Sequence, residues 1–325
     1  MSNNENVLEV NDLVMHYTTQ KGPVYAVDNV TFHVGKGESI GLVGESGCGK
    51  TSIAISLLKL LPNNGEILGG EVKINGEDVV PLNDREMNEI RWRDISMVFQ
   101  AAMNSLNPVY TVEEQIMEAM REHMPHMSDK EMSQKIDDLF ELVGMDPGLK
   151  SQYPHQYSGG MRQRAVIVMA LSCDPDIIIA DEPTTALDVI VQDAILKRIR
   201  EIQHELDMAM IYISHDVAVI AEVSDRVGVM YAGKLVEMAS TENIFHNPLH
   251  PYTMGLMSSF PSIVGEKTEL VTLPGEPPDL LDPPDACRFH PRCPYATEIC
   301  RTEEPEFIEH EDGHYAACWH PGGEK

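Results

Sequence analysis

Gly44-Glu45-Ser46-Gly47-Cys48-Gly49-Lys50-Thr51 fits the pattern G-x-x-x-x-G-K-[ST]. It follows the apolar run Ser39-Ile40-Gly41-Leu42-Val43 and opens into the helix-compatible Ser52-Ile53-Ala54-Ile55-Ser56-Leu57-Leu58. Glycines let a backbone wrap a polyphosphate, while successive N–H groups and a helix N-terminus offer it positive potential. In that arrangement Lys50 reaches the β- and γ-phosphates and the Thr51 hydroxyl ligates Mg²⁺. A Gly-rich turn would account for single residues of the stretch. The complete match between a strand and a helix instead selects a nucleoside-triphosphate site, with Gly44, Ser46, Gly47, Cys48, Gly49, Lys50, Thr51 and Ser52 as its candidate binding residues.

The 325 residues are enough for at least one full core, and the expected plan is two domains plus an appendage. With 24 Lys+Arg against 52 Asp+Glu, the formal net charge is −28. Neutralising nucleic-acid phosphates needs clustered Lys and Arg, so this balance argues against a nucleic-acid partner. It also disfavours adsorption to anionic lipid, but not docking onto a membrane protein. The polar opening of the chain lacks a secretory apolar region, and the apolar runs are too short to span a bilayer. The expectation is a cytosolic protein, or one bound peripherally on the cytosolic side.

Residues 7–15, 24–34 and 38–43 read as strands rich in β-branched residues, with 71–74 and 95–99 as further strands. Residues 112–123 and 129–143 carry the apolar spacing of amphipathic helices. Strand and helix then alternate over 177–180, 189–206, 208–213, 217–223 and 227–231, which predicts a mainly parallel sheet covered by helices. From 261 to 284 prolines accumulate without periodicity, predicting a linker to a small Cys-bearing tail.

Two further stretches narrow the chemistry. Ile177-Ile178-Ile179-Ala180-Asp181-Glu182 is an apolar strand ending in two acids. Asp181 is placed to hold Mg²⁺ through water, and Glu182 to orient or deprotonate the attacking water. Tyr157-Ser158-Gly159-Gly160-Met161-Arg162-Gln163-Arg164 precedes a helix-like run. A Ser-Gly-Gly helix start is a second anion site of hydroxyl and backbone N–H groups. One nucleotide does not need two such grips, so the second is read as belonging to the nucleotide of a neighbouring subunit. In isolation Ser158 would be an ordinary N-cap.

In this company the chain resembles the ATP-binding-cassette ATPases over residues 7–259. The resemblance implies an α/β P-loop NTPase ABC cassette: a mainly parallel sheet with an antiparallel β subdomain, plus an inserted helical subdomain. It implies that Tyr17 stacks on adenine, with Tyr25 as a competing candidate. Gln100, in Val98-Phe99-Gln100, would touch Mg²⁺ and the attacking water. Ser158, Gly159 and Gly160 would close over the partner's ATP, Thr185-Ala186-Leu187-Asp188 would communicate across a dimer, and His215 would contact the γ-phosphate. Met161 stands where much of the family has Gln, and Thr185 replaces the commoner Ser; neither removes a catalytic group. Glu182, His215 and Gln100 are thus the candidate catalytic residues, and Thr51, Gln100 and Asp181 the Mg²⁺ set.

Of six cysteines, Cys48 lies in the phosphate loop, where a helix N-terminus would lower its pKa unless it is only a small residue that fits, and Cys173 reads as core. The others cluster as Cys287-x₅-Cys293-x₆-Cys300-x₁₇-Cys318. In a cytosolic protein such clustering favours metal over disulfides, and without short C-x-x-C chelates it points to an iron–sulfur cluster on four thiolates. Zinc is the alternative, with His290, His314 or His320 as substitute ligands. His250-Pro251-Tyr252, Leu273-Pro274-Gly275-Glu276-Pro277-Pro278 and Cys287-Arg288-Phe289-His290-Pro291-Arg292-Cys293-Pro294 resemble the C-terminal extension of the oligopeptide/dipeptide/nickel importer ATPases. Tyr153-Pro154-His155-Gln156-Tyr157 and Ser105-Leu106-Asn107-Pro108 fit the same subfamily, some members of which carry a four-iron (4Fe-4S) cluster on matching cysteines.

The expected organisation is a cassette over 1–259, with a helical subdomain at about 101–175, and a Cys-rich C-terminal extension over 260–325. The resemblance implies an ATP-hydrolysing importer subunit. It would be paired with a second, distinct cassette subunit and two membrane permeases, and served by an extracytoplasmic peptide-binding protein. Nickel or another small solute is the alternative cargo. A non-transport cassette ATPase of DNA repair or translation, or a redox-sensing regulator, is the alternative class; the chain shows no coiled-coil interruption, second cassette or DNA-binding module to favour it.

Overall fold

The computed structural model describes residues 6–100, 105–184, 188–259 and 273–323. Thr185, Ala186 and Leu187 of the expected dimer loop, the first residues of the helical block and much of the proposed linker lie outside them.

In chain order the strands are β1 (Asn6–Thr19), β2 (Gly22–Gly35), β3 (Ser39–Val43), β4 (Gly65–Ile74), β5 (Glu77–Asp78), β6 (Ile95–Val98), β7 (Ile177–Asp181), β8 (Ala209–Ile213), β9 (Arg226–Tyr231), β10 (Lys234–Ser240), β11 (Ile308–Glu311) and β12 (His314–Ala316). The helices are α1 (Lys50–Leu57), α2 (Asp84–Ile90), α3 (Val112–His123), α4 (Asp129–Leu142), α5 (Gly159–Leu171), α6 (Val189–Leu206), α7 (Val217–Val223), α8 (Thr241–His246), α9 (Pro251–Ser258) and α10 (Ile299–Thr302). β2, β1, β4 and β5 form a four-stranded sheet in that order.

The chain divides into two compact units. The first comprises Met1–Glu9, His33–Ser39 and Val72–Ile213. Here β6, β7 and β8 run parallel, with Ile95 opposite Ile177 and Ile177 opposite Ala209. β7 and β8 are buried at every residue, as near-continuous apolar strands covered on both faces should be. Helices α3 and α4 each begin with a reciprocal capping box, Thr111 with Glu114 and Ser128 with Glu131, which satisfies otherwise orphaned N–H groups. Val112, Ile116 and Met120 bury one face of α3, and Met132, Ile136, Leu139 and Phe140 one face of α4. Arg164 Nη1 on α5 donates to the carbonyls of Val143 (3.0 Å) and Gly144 (3.1 Å), tying α5 to the end of α4.

The second unit comprises Val10–Phe32, Ile40–Glu71 and Ser214–Lys325. β3 pairs parallel with β9, then β10, β12 and β11 follow by antiparallel pairing. The hairpin of the Cys-bearing tail therefore continues the sheet that contains β3. A buried carboxylate pins it there: Glu237 on β10 accepts from the N–H groups of Leu249 (2.7 Å) and His250 (2.8 Å) and lies 2.8 Å from His314 Nε2 on β12. Arg288 adds bonds to Ala232 O and Asp28.

His250 makes this node sensitive to acid. Its Nδ1 accepts the Tyr252 N–H at 3.1 Å, and burial pushes the imidazole down from 6.5 to about 4, against the opposing charge of Glu237. The unfolded chain binds a proton near 6.5 that the folded chain refuses until about 4, so falling pH in that window favours unfolding. Between pH 7 and pH 5 this group should withdraw about 2 kcal/mol of stability. Urea midpoints of the wild-type chain and of His250→Asn, which keeps a capping acceptor, would measure it. The variant should lose that part of the pH dependence.

Candidate active site

In the second unit, the phosphate loop runs from buried β3 into α1. Gly44 has φ 146° and Gly49 φ 110°, and a Cβ would lie 2.2 Å from Met230 O at the first and 2.1 Å from Ala26 O at the second. Only glycine fits either position, so the loop is held against the backbone of its neighbours. α1 has no acid in its first turn, leaving its N-terminal potential uncancelled. Lys50 is buried and its Nζ donates to Gly44 O (2.7 Å) and Glu45 O (3.1 Å). Ser46, Gly47 and Thr51 are exposed. A cavity of about 310 Å³ opens beside the loop, lined by residues 45–48, Val24 and residues 277–280 of the extension. Its size suits part of a nucleotide.

Tyr17 lies with its hydroxyl 3.1 Å from Ser52 Oγ, at the start of α1, whereas Tyr25 meets His16 edge-on at 6.4 Å. His215 is exposed just ahead of α7, which Asp216 caps through the N–H groups of Ala218 and Val219. Cys48 does not have the lowered pKa that a helix N-terminus suggests. Burial pushes its thiol up, and Lys50 offsets this only in part.

In the first unit, Asp181 ends β7 and is buried. Glu182 follows in the left-handed region at φ 48°, with its N–H donating to Ile213 O at 2.8 Å. That turn redirects the chain and brings the Glu182 carboxylate to Gln100, whose Nε2 donates to Oε2 at 2.7 Å. Two expected catalytic residues separated by 82 positions thus touch. Ser158 caps α5, accepting from Met161 N at 3.3 Å, and is itself exposed. A Cβ at Gly160 would come within 2.9 Å of Val191 Cγ1, so the second glycine is needed for α5 to pack against α6.

The tail cysteines are free thiols. Burial raises Cys287 to about 11 and Cys318 to about 12, with Cys293 also raised. Neighbouring thiols add to the rise: Cys318 feels Cys287, Cys293 and Cys300, Cys287 feels Cys293 and Cys300, and Cys293 feels Cys300. Among the described residues, however, no three His, Cys, Asp or Glu side chains are grouped to hold a metal ion. The substitute histidines are engaged elsewhere: His314 with Glu237, His290 Nδ1 with Cys287 O at 2.8 Å and His320 Nε2 with Thr297 Oγ1 at 2.7 Å.

Sequence reasoning missed Glu45, an unspecified position of the loop pattern, together with the residues that hold it, Tyr252 and Arg292. Their separations in sequence, 207 and 247 positions, leave no local signal.

The ABC transporter family pattern matches residues 27–185, and that of the oligopeptide/dipeptide transporter C-terminal region matches residues 236–300. The dipeptide transport ATP-binding protein DppD of Bacillus subtilis (strain 168) is 46% identical over 97% of this chain and 95% of its own. The oligopeptide transport ATP-binding protein OppD of Salmonella typhimurium is 44% identical over 97% of this chain and 94% of its own. Among solved structures, the dimeric ATP-binding cassette MJ0796 in a post-hydrolysis state with ADP and Pi superimposes with a TM-score of 0.65. It is 26% identical, over 72% of this chain and 98% of that one.

Proposed function

This chain belongs to the family of ATP-binding proteins of dipeptide and oligopeptide ABC transporters, and on that premise we propose how its residues divide the work of driving peptide uptake. It is the ATP-hydrolysing subunit of a peptide importer, with ATP as substrate and Mg²⁺ as cofactor. The observation that carries the catalytic assignment is the Gln100–Glu182 bond beside Asp181.

In the proposed division, Gly44 and residues 46–52 hold the triphosphate, Lys50 answers the charge of the β- and γ-phosphates, and Tyr17 takes the base. Thr51, Gln100 and Asp181 are the oxygen donors suited to Mg²⁺, which neutralises charge developing on the transferred phosphoryl group. Glu182 takes the proton of the attacking water, Gln100 orients Glu182, and His215 reads the γ-phosphate. Catalysis then rests mainly on positioning and charge neutralisation.

Ser158, Gly159 and Gly160 serve the nucleotide of a second cassette subunit, a distinct paralogue. Val189 and Ile190 support a paired state, because they stand 80% and 82% exposed directly after Asp188. Val109 and Tyr110, 70% and 53% exposed beyond Ser105-Leu106-Asn107-Pro108, suit docking on a permease. Two permeases and an extracytoplasmic peptide-binding protein complete the assembly. The chain sits peripherally on the cytoplasmic side of the cell membrane; among the described residues no helix is long and apolar enough to cross it. Residues 1–259 form the cassette and 260–325 the extension.

The clustering of Cys287, Cys293, Cys300 and Cys318 within the extension is the support for a 4Fe-4S cluster, which four thiolates hold. Its role is to staple the extension. Anaerobically purified protein should be brown, with iron and sulfide near four per chain. Stoichiometric zinc without iron would contradict this.

For the function as a whole, this chain, its paralogue and the permeases would be reconstituted in vesicles with the binding protein. Peptide-stimulated ATP hydrolysis is the expected result. ATPase activity indifferent to peptide would contradict the reading.

A further inference from the structure

Glu45, immediately after Gly44, is held from three sides within one compact unit. Its N–H donates to Tyr252 Oη at 2.9 Å, and its carbonyl accepts from Lys50 Nζ at 3.1 Å. Its carboxylate receives a two-pronged bond from Arg292, Nη1 to Oε2 at 2.7 Å and Nη2 to Oε1 at 2.9 Å. Arg292 is fixed in turn. Its side chain is 5% exposed, its Nε donates to Pro274 O at 2.8 Å, and its guanidinium lies 5.7 Å from the Tyr231 ring centre and 5.9 Å from that of Phe289. Tyr231, Tyr252 and Phe289 pack together with centroids 4.6 to 5.5 Å apart. The arginine therefore arrives preorganised, and a lysine could not reproduce its fork.

The charge balance gives this contact a role beyond anchoring. Because the Glu45 carbonyl touches the Lys50 ammonium, its carboxylate lies within about one Debye length (~8 Å) of the phosphate cradle. An uncompensated negative charge there would oppose a triphosphate. We propose that Arg292 is a positioning residue for nucleotide binding: it supplies from the C-terminal extension the countercharge that stops Glu45 repelling ATP, so the extension sets the affinity of the phosphate loop. The inference rests on the reading of that loop as the ATP site.

The test is titration calorimetry of the full chain with MgATP. Arg292→Met should weaken binding about 10-fold, which is about 1.4 kcal/mol. Arg292→Lys should fall between Arg292→Met and the wild type. Glu45→Gln should bind about threefold more tightly, since it leaves Arg292 facing the phosphates unopposed. The double variant should return to within about twofold of the wild type. A contact that only staples the fold would instead weaken binding in both single variants, so Glu45→Gln that binds equally or less tightly overturns the inference. If Arg292→Met does not fold, Glu45→Gln alone decides. Failure of the wild-type chain to bind MgATP would overturn the underlying nucleotide reading, and is thereby distinguishable.

Discussion

Replacing Glu182 with Gln should lower turnover in the complete transporter by about 10²–10⁴-fold while leaving ATP bound, the range expected when a general base is lost. The substitution is nearly isosteric and removes only the charge and proton affinity of a carboxylate that accepts from Gln100 at 2.7 Å. An amide can still meet Gln100, so the local fold should persist and the loss should fall on kcat more than on KM. Single-turnover assays with radiolabelled ATP would show it: bound ATP persists and phosphate release is slow. Near-wild-type release would remove Glu182 from the role of base.

Ser158→Arg should have a comparable effect by a different route. Loss of the Ser158 cap costs α5 about 1 kcal/mol, too little to unfold the unit. A bulky cation at this exposed helix start would obstruct the nucleotide of the second cassette. Hydrolysis in the complex should fall at least about 10²-fold. The isolated chain should still bind MgATP as the wild type does, because residues 44–52 are untouched. Equal hydrolysis by wild type and variant would count against a shared pocket. Weakened binding in the isolated chain would place Ser158 at its own nucleotide.

Much of this architecture is legible in the sequence where the cause is local. The glycines of the phosphate loop, the near-continuously apolar β7 and β8 and the capped, amphipathic α3 and α4 each carry their conformation in neighbouring residues. The bond between Gln100 and Glu182 is not legible in the sequence, since no local pattern brings residues 82 apart together. The extension is the least legible part. β11 is exposed along most of its length, and its partner β12 is held by the buried Glu237–His314 contact across 77 positions. Glu45 escaped notice because a loop pattern defined by backbone geometry leaves its side chain unspecified, whereas here the distant Arg292 defines it. Cys48 illustrates the converse: the helix-terminus argument is sound, but burial outweighs it.

The most direct measurement is peptide uptake into vesicles carrying the complete transporter, with the wild-type chain and with Glu182→Gln in parallel. ATP-dependent accumulation of di- or oligopeptide by the first, and its loss in the second despite normal assembly, is the expected result. Accumulation that continues undiminished in the Glu182→Gln transporter would contradict the claim that hydrolysis by this chain powers import.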